Sequence, residues 1–419
     1  MARIFPNWLT AYAEYCDDCG FTPPQFTQWT GLSVLAGAVE RKLWLPWSDT
    51  YAYYPNLYVM LVSMPADGKS VCIARAAGLL GELNSKTGML NILPNQMTEA
   101  MFIEMMSMGH SFTEFRNNKE IQHLQNAGYF YASEAKNSLK NIFGDFIACL
   151  TEFYDCPSKW ARATKKDGYP IVLQNVCMNV LAGTTFDYLG ELIDDKNIMG
   201  GFASRLLCVV SKDKEVIAQP WQLGGFDEAR NIQRLKYRMA LLSDLADIAK
   251  TVGPMSADQE FGKAWEDWFP IAERARRSNA SERMQSILAR TNANTLKVAM
   301  LLSIAESGDR KLKLHHWETA LSYMKKIQDD TLELHRTARS TAVGPRDGNN
   351  SLINSILLTL TKNRGMTLEQ LRNRMSLHYN KLIVEQVTNA LLNEGMLGLG
   401  AATIRGREIK ILGNANNYL

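Results

Sequence analysis

The stretch LYVMLVSMPADGKS at residues 57–70 decides the fold of this chain. Its first six residues are all apolar and include β-branched and aromatic side chains, which is typical of a buried β-strand. The residues that follow it, 71–83, have their apolar side chains at helical spacing. A strand that leads through Gly68-Lys69-Ser70 directly into a helix is the context that a phosphate-binding P-loop requires.

The residue types in this loop predict how a nucleoside triphosphate would be held. Gly68 lets the backbone approach the phosphates, Lys69 reaches the β- and γ-phosphates, and the Ser70 hydroxyl ligates Mg²⁺. Ser63 stands where the motif has glycine, so we expect a relaxed backbone angle there. ATP and Mg²⁺ are therefore the expected cofactors, and an ordinary strand-to-helix turn is the alternative. The nucleotide-binding residues predicted in the loop are Ser63, Pro65, Ala66, Asp67, Gly68, Lys69, Ser70 and Val71.

Composition bounds the class of protein. A chain of 419 residues with 46% hydrophobic and 21% charged residues is globular and long enough for two or three units. A net charge of +3 is too small to indicate nucleic acid by itself, so any basic surface must be local. No apolar run reaches the roughly 18 residues of a membrane span, and residues 1–6 lack a signal-peptide core. We expect a cytoplasmic protein with no membrane partner.

Periodicity predicts an α/β core between helical regions. Short apolar strands at 57–62, 129–132, 176–182 and 206–210 alternate with helical segments, which indicates a parallel sheet. Residues 341–350 contain Gly, Pro, Asp and Asn and break every period, as a linker does. The predicted regions are a helical N-terminal region (1–50), the α/β core (51–215), a helical domain (216–340), the linker (341–350) and a C-terminal helix-turn-helix with a wing (351–419).

Several further segments fit one known pattern. They are a second strand and capped helix at 91–102, a strand ending in Ser133-Glu134, a strand at 176–182 followed by Gly183-Thr184-Thr185, and the glycine-aromatic-arginine segment 200–207. With these segments, the P-loop resembles the RecA-like core of a helicase-associated family of unknown function common in phages, plasmids and integrated elements. Pro65 is placed like the proline of DnaB-type replicative helicases. The resemblance covers about residues 50–340 and implies a RecA-like P-loop ATPase fold.

The resemblance also implies three catalytic roles beside that of Lys69. Glu134 would be the general base that orients the attacking water, with Ser133 standing where the family has Asp. Thr184 would hydrogen-bond the γ-phosphate or the water. Arg205 would reach a neighbouring subunit's nucleotide as an arginine finger. The alternatives are an acidic helix cap for Glu134, a turn former for Thr184 and a structural salt bridge for Arg205.

Two basic segments are candidates for DNA contact. The segment 159–169 contains Arg162, Lys165 and Lys166 together with Trp160 and Tyr169, so cations would track phosphates while a ring stacks on a base. A solvated loop is the alternative. The C-terminal winged helix is the second candidate, and it would bind either a DNA duplex or a protein. Its cations are Arg372, Arg374, His378, Lys381, Arg405, Arg407 and Lys410.

These features together lead to one main hypothesis and two alternatives. The main hypothesis is an ATP-dependent DNA motor, a hexameric ring-forming replicative helicase of a phage or mobile element that translocates on single-stranded DNA. A separate primase or polymerase chain would be its partner, because no priming zinc site or polymerase motif is present. The alternatives are a RecA-like recombinase or remodeller, and a nucleotide-gated DNA-binding initiation protein with weak ATPase activity, which the missing acid at Ser133 allows.

Overall fold

A computed structural model describes residues 3–16, 22–116, 119–133, 147–163, 170–186, 189, 201–211, 228–278, 285, 288–341, 356, 359–360, 366–375, 381–393, 397–404 and 407–414. The chain divides into two compact units, Met1–Leu332 and Glu333–Leu419. Among the described helices, none is both long and apolar enough to cross a bilayer.

The helices are α1 (Trp8–Cys16), α2 (Pro24–Val39), α3 (Lys69–Thr87), α4 (Glu99–Ser107), α5 (Glu228–Ala249), α6 (Gln259–Arg277), α7 (Thr291–Glu306), α8 (Leu314–Thr341), α9 (Leu368–Met375) and α10 (Lys381–Asn393). A further helical segment covers 147–154. The strands are β1 (Leu43–Pro46), β2 (Ala52–Tyr53), β3 (Tyr58–Val62), β4 (Ile92–Leu93), β5 (His110–Arg116), β6 (Lys119–Gln125), β7 (Ala127–Ala132), β8 (Lys159–Arg162), β9 (Ile171–Gln174), β10 (Cys177–Thr184), β11 (Leu206–Val210), β12 (Gly253–Pro254), β13 (Ser256–Ala257), β14 (Lys311–Leu312), β15 (Leu397–Ile404) and β16 (Arg407–Asn414).

A five-stranded parallel sheet forms the centre of the first unit, in the order β11-β3-β10-β7-β4. This sheet confirms the predicted α/β class. The four strands predicted as apolar runs are β3, β7, β10 and β11, and all residues of β3, β10 and β11 are buried. Burial on both faces explains why these strands read as continuous apolar runs rather than as alternating ones.

Helices cover both faces of the sheet. On one face α2 lies against the sheet and α3, with Val59 and Leu61 of β3 in the shared core. On the other face Tyr58 of β3 donates its hydroxyl to the Leu150 carbonyl in the helical segment 147–154 (2.8 Å). The helix α2 is buried almost all round, because α1, α5 and α7 pack on its outer side.

The predicted N-terminal and middle regions share this core. Trp8 of α1 is fully buried and donates its indole N–H to the Leu241 carbonyl of α5 (3.0 Å). The hydrophobic cluster runs without interruption from α1 through α2 and the sheet to α5, α7 and α8. Residues 40–50 differ from the expected helix, because they contain β1, which pairs with β2 and with β12 from the helical region.

Two antiparallel hairpins project from this unit, and their amphipathic strands were not predicted. In the first, β5 pairs with β6 from His110↔Gln125 to Arg116↔Lys119. In the second, β8 pairs with β9 from Lys159↔Gln174 to Arg162↔Ile171. The hairpins precede β7 and β10 respectively, so both leave the amino-terminal edge of the parallel sheet.

The second unit has a small core of its own, formed mainly by side chains of α9 and α10 together with Ile356 and Leu397. The sequence Thr367-Leu368-Glu369-Gln370 predicts a capped helix start, and the start of α9 confirms it as a capping box. Thr367 Oγ1 accepts the Gln370 N–H (3.2 Å), and Gln370 Oε1 accepts the Thr367 N–H (3.0 Å). After α10, β15 and β16 pair antiparallel from Leu397↔Asn414 to Ile404↔Arg407.

Candidate functional site

The loop between β3 and α3 has a geometry that its sequence explains. Gly68 is the N-cap of α3 and has φ 79°, a left-handed conformation that glycine adopts without steric cost. Ala66 also has a positive φ, of 68°. The remaining loop residues, Ser63 among them, do not, so serine is tolerated where the motif has glycine, as expected. The loop therefore turns sharply at 66–68 and delivers Lys69 as the first residue of α3.

The ammonium group of Lys69 is held against the start of the loop. Its Nζ donates to the Ser63 carbonyl (3.0 Å), the Ser63 hydroxyl (2.9 Å) and the Met64 carbonyl (2.6 Å). Lys69 and Ser63 are both buried, whereas Ser70 is exposed in the first turn of α3. The buried ammonium group lies at the loop, where a phosphate would contact it, and the exposed Ser70 hydroxyl is accessible to a metal ion bound with that phosphate.

The ends of three strands meet beside Lys69. Thr184 at the end of β10 pairs with Val62 of β3, and the Thr184 carbonyl accepts the Ser63 N–H (3.4 Å). A Cβ added to Gly183 would lie 2.8 Å from the Ser133 carbonyl and 3.6 Å from Lys69 Cβ. Glycine is therefore required here for close approach of β10, the end of β7 and the P-loop. Thr184 and Ser133 thus lie at the carboxyl edge of the sheet, where α/β proteins bind ligands.

The catalytic base predicted at Glu134 lies outside the residues that the structure describes. Its neighbour Ser133 is exposed and directly follows β7, next to Gly183. Among the described residues at this edge, Ser70 offers an exposed hydroxyl oxygen to a Mg²⁺ ion, because a hard cation takes oxygen ligands. The donor set near Lys69 therefore fits a metal that arrives with its own phosphate oxygens.

Arg205 lies at the opposite edge of the sheet from the P-loop. It directly precedes β11, whose first residue pairs with Tyr58 at the start of β3. Its Nη2 donates to Asp155 Oδ2 (2.6 Å) and its Nη1 to the Gly201 carbonyl (2.7 Å), and the side chain is only 8% exposed. Within the chain, the Arg205–Asp155 ion pair is the structural salt bridge that the sequence analysis gave as the alternative. The role of Arg205 as an arginine finger stays a prediction, and it requires this ion pair to open.

Of the three predicted DNA contacts, the structure describes one. Arg162 ends β8 and pairs with Glu99 at the start of α4 (2.6 Å). Trp160 of the same strand donates its indole N–H to Glu152 (2.5 Å) and packs on Phe153. Lys165 and Lys166 lie outside the described residues. The described part of the basic segment, 159–163, therefore contains a hairpin strand docked on neighbouring helices.

A cluster that the sequence did not predict surrounds Asp155. Arg290 donates to both Asp155 oxygens (2.8 and 3.2 Å), on the carboxylate that Arg205 also contacts. Lys297 is fully buried and donates to Asn56 Oδ1 (2.7 Å), and burial lowers its pKa to about 8. Arg205 and Arg290 lie 50 and 135 residues from Asp155 in the chain, so periodicity gives no signal for their contact. The short motif Tyr154-Asp155-Cys156-Pro157 at a helix end is the sequence feature that could have indicated the cluster.

One three-residue group in the described part has metal-ligand spacing, formed by Glu306, His315 and His316. The His316 Nδ1 accepts the Lys313 N–H (3.0 Å), so in the neutral ring Nε2 carries the proton and donates to Glu306 (2.7 Å). A metal-binding imidazole has the reverse arrangement, in which the second nitrogen donates. The arrangement of His316 is therefore that of a helix cap at the start of α8 rather than that of a metal ligand.

An open cleft of about 560 Å³ lies apart from the candidate site. Arg3 and Lys250 line it together with Asp247 and Glu306, so the charges largely offset one another. That lining does not favour a triphosphate, and the P-loop remains the better candidate.

Comparison with known protein families finds no matching family model, and comparison with curated proteins finds no matching relative. The proposed function therefore depends on the geometry around Lys69.

Proposed function

We propose that the chain is a P-loop nucleoside triphosphatase with a RecA-like core that acts on DNA, and that its leading activity is that of an ATP-dependent helicase. The observation that supports this most is the loop 63–70. Gly68 is left-handed at the N-cap of α3, and Lys69 is buried beside it, at the carboxyl edge of a central parallel strand. The placement of β10 between β3 and β7 supports the RecA-like assignment, because a sensor strand must end beside both the P-loop and the acidic strand.

The roles follow from this geometry. Lys69 would exchange the carbonyls of Ser63 and Met64 for the β- and γ-phosphate oxygens, and the amide groups at the start of α3 would donate to the same phosphates. Ser70 would ligate Mg²⁺, which neutralises charge on the phosphates when bound. Thr184 would orient the γ-phosphate or the attacking water, and Glu134 would act as the base.

One observation favours a second function, a nucleotide-gated DNA-binding protein with weak ATPase activity. Ser133 directly follows β7, next to Gly183 and near Lys69, and a hydroxyl there replaces the carboxylate that the resemblance implies. A hydroxyl is a weaker ligand for a hard cation than a carboxylate. Slow hydrolysis with intact nucleotide binding would follow from this substitution.

The oligomer and the C-terminal unit belong to the same proposal. A hexameric ring would supply Arg205 to a neighbouring nucleotide only after its pair with Asp155 opens.

The order of α9, α10 and the β15–β16 hairpin supports a winged helix, in which Arg372 and Arg374 of α9 would contact a duplex. Arg372 pairs with Glu385 of α10 (3.1 Å), so it also stabilises that unit.

ATP hydrolysis measured with and without single-stranded DNA tests the proposal. We expect hydrolysis that DNA stimulates in the wild-type chain, loss of it in Lys69→Ala, and wild-type rates in Lys86→Ala, a matched change on the exposed face of the same helix. Strand displacement from a forked duplex identifies a helicase. Nucleotide binding without hydrolysis would favour the gated DNA-binding protein, and the absence of both would exclude the P-loop reading.

A further inference from the structure

Five aromatic side chains form one continuous row, which we call the aromatic ladder: Tyr51, Tyr53, Trp47, Trp265 and Phe269. Successive ring centroids in this order are 5.1, 5.2, 5.4 and 5.2 Å apart. The first three residues belong to the β1–β2 hairpin and the last two to α6. Trp265 also packs edge-on against Trp317 of α8, which anchors the row in the core.

The aromatic ladder is exposed along much of its length. Trp47 is 46% exposed, Tyr51 43% and Phe269 36%. Among the residues whose burial the structure describes, the other aromatic side chain with comparable exposure is Phe115 on the β5–β6 hairpin, at 73%. Exposed apolar side chains are ordinary when isolated, but a contiguous row of rings marks an interaction surface.

Positive charge lies at the Tyr51 end of the aromatic ladder. Tyr51 and Tyr53 line a small cavity with Asp155, Arg290 and Lys297. Arg205 also contacts Asp155, but Arg205 and Lys297 are buried. Asp49 in the β1–β2 turn is a further acid near in sequence. The Arg290 side chain is 30% exposed and is the cation of this group that a ligand can reach.

We propose that the aromatic ladder binds single-stranded nucleic acid, with bases stacked on Trp47, Tyr51 and Phe269 and a phosphate beside Arg290. Every base has a π-face, so stacking on rings beside a cationic end is the chemistry of sequence-independent strand binding. An apolar protein partner would cover Arg290 without adding a counter-charge, which is unfavourable, whereas a phosphodiester supplies that charge. The inference rests on the proposed function for DNA as the partner, and it assigns a surface other than the hairpin that carries Arg162.

Fluorescence anisotropy of a labelled oligothymidylate, with the full chain and no nucleotide, tests the inference. We expect Trp47→Ala to raise the Kd roughly 5- to 150-fold, as loss of a base–aromatic contact does, and Trp47→Phe to retain most of the affinity. Phe115→Ala is the matched control for an exposed aromatic and should leave the Kd unchanged. Arg290→Gln should lower the slope of log K against log salt concentration by about 0.7, the value for one phosphate on a single strand.

Three results would overturn the inference. They are wild-type affinity in both Trp47→Ala and Phe269→Ala, an equal loss in Phe115→Ala, and a change in oligomer mass without a change in DNA binding, which would make the aromatic ladder an interface between copies. Thermal unfolding confirms that each variant is folded. ATP binding is measured separately. Loss of DNA binding with intact ATP binding supports the aromatic ladder as the DNA-binding surface. Failure of the wild-type chain to bind ATP refutes the nucleotide site but leaves the inference about the aromatic ladder unaffected.

Discussion

At the scale of single residues, Ser63 is the feature that distinguishes this P-loop. Among the residues that the structure describes, its hydroxyl and carbonyl both accept hydrogen bonds from the Lys69 ammonium group. These contacts exist before nucleotide arrives and compete with the phosphates for the same ammonium group. Ser63 is thus expected to set how readily Lys69 is released rather than to contact the nucleotide.

Ser63→Ala removes one competing acceptor, and a hydrogen bond to a charged group contributes about 1.5–3 kcal/mol, part of which water replaces. We therefore expect ATP affinity to rise by a factor of about 2–10, measured by isothermal titration calorimetry. Ser85→Ala, on the exposed side of α3, is the control. A fall in affinity would mean that the Ser63 hydroxyl acts on the nucleotide itself.

Gly183 gives a second prediction at this scale. Its missing Cβ leaves room for the Ser133 carbonyl at 2.8 Å and the Ile73 side chain at 3.1 Å. We expect Gly183→Ala to lower the free energy of unfolding in urea by about 1–3 kcal/mol and to weaken ATP binding, since overpacking displaces β10 from Lys69. Gly81→Ala is the matched control, because nothing lies within 4 Å of its added Cβ. It should leave the protein as stable or stabilise it by up to about 1 kcal/mol. Equal effects of the two changes would contradict this account of Gly183.

At the scale of elements, the start of α8 depends on the charge of His316. Burial lowers the pKa of His316 below its usual 6.5, and hydrogen bonds from His315 and His316 lower the pKa of Glu306 below 4.5. The unfolded chain therefore binds a proton at His316 more readily than the folded one. The contribution of neutral His316 to the free energy of unfolding is present above about pH 6.5 and is lost as the pH falls below that value. The contribution of ionised Glu306 is present above about pH 4.5 and is lost as the pH falls below that value.

His316→Gln tests this arrangement. Glutamine can still accept the Lys313 N–H and donate to Glu306, but it does not titrate. We expect the free energy of unfolding to fall less between about pH 7.5 and pH 5.5 in this variant than in the wild type, as measured by urea titration at each pH. Identical pH dependence in the two proteins would show that His316 does not control the stability of the helix start.

The elements that the sequence predicted well are those whose pattern comes from burial on both faces or from local capping. The strand β11 was predicted with its observed bounds, and the Thr367 cap forms as expected. The β5–β6 hairpin was missed, because half of its strand residues are exposed and its position depends on contacts made elsewhere in the fold. The Asp155 cluster was missed because Arg205, Arg290 and Lys297 reach it from distant parts of the chain.

At the scale of the whole molecule, the first unit contains the candidate nucleotide site, and all nine tryptophans of the chain lie within it, between Trp8 and Trp317. Tryptophan fluorescence therefore follows unfolding of this unit alone, whereas far-UV circular dichroism follows both units. We expect ATP at 100 times its Kd to stabilise the fluorescence transition by about 2.7 kcal/mol. The remaining dichroism transition, of Glu333–Leu419, should not shift. An equal shift of both would show that the two units unfold together.

The central claim is that Lys69 and the loop around Gly68 hold a triphosphate, and equilibrium ATP binding in the presence of Mg²⁺ tests it most directly. Calorimetric titration should show one site per chain in the wild type and in Lys86→Ala, and a loss of at least about tenfold in affinity in Lys69→Ala, as expected when a charge-assisted contact is removed. No ATP binding by the wild-type chain, or equal affinity in Lys69→Ala, would contradict the account.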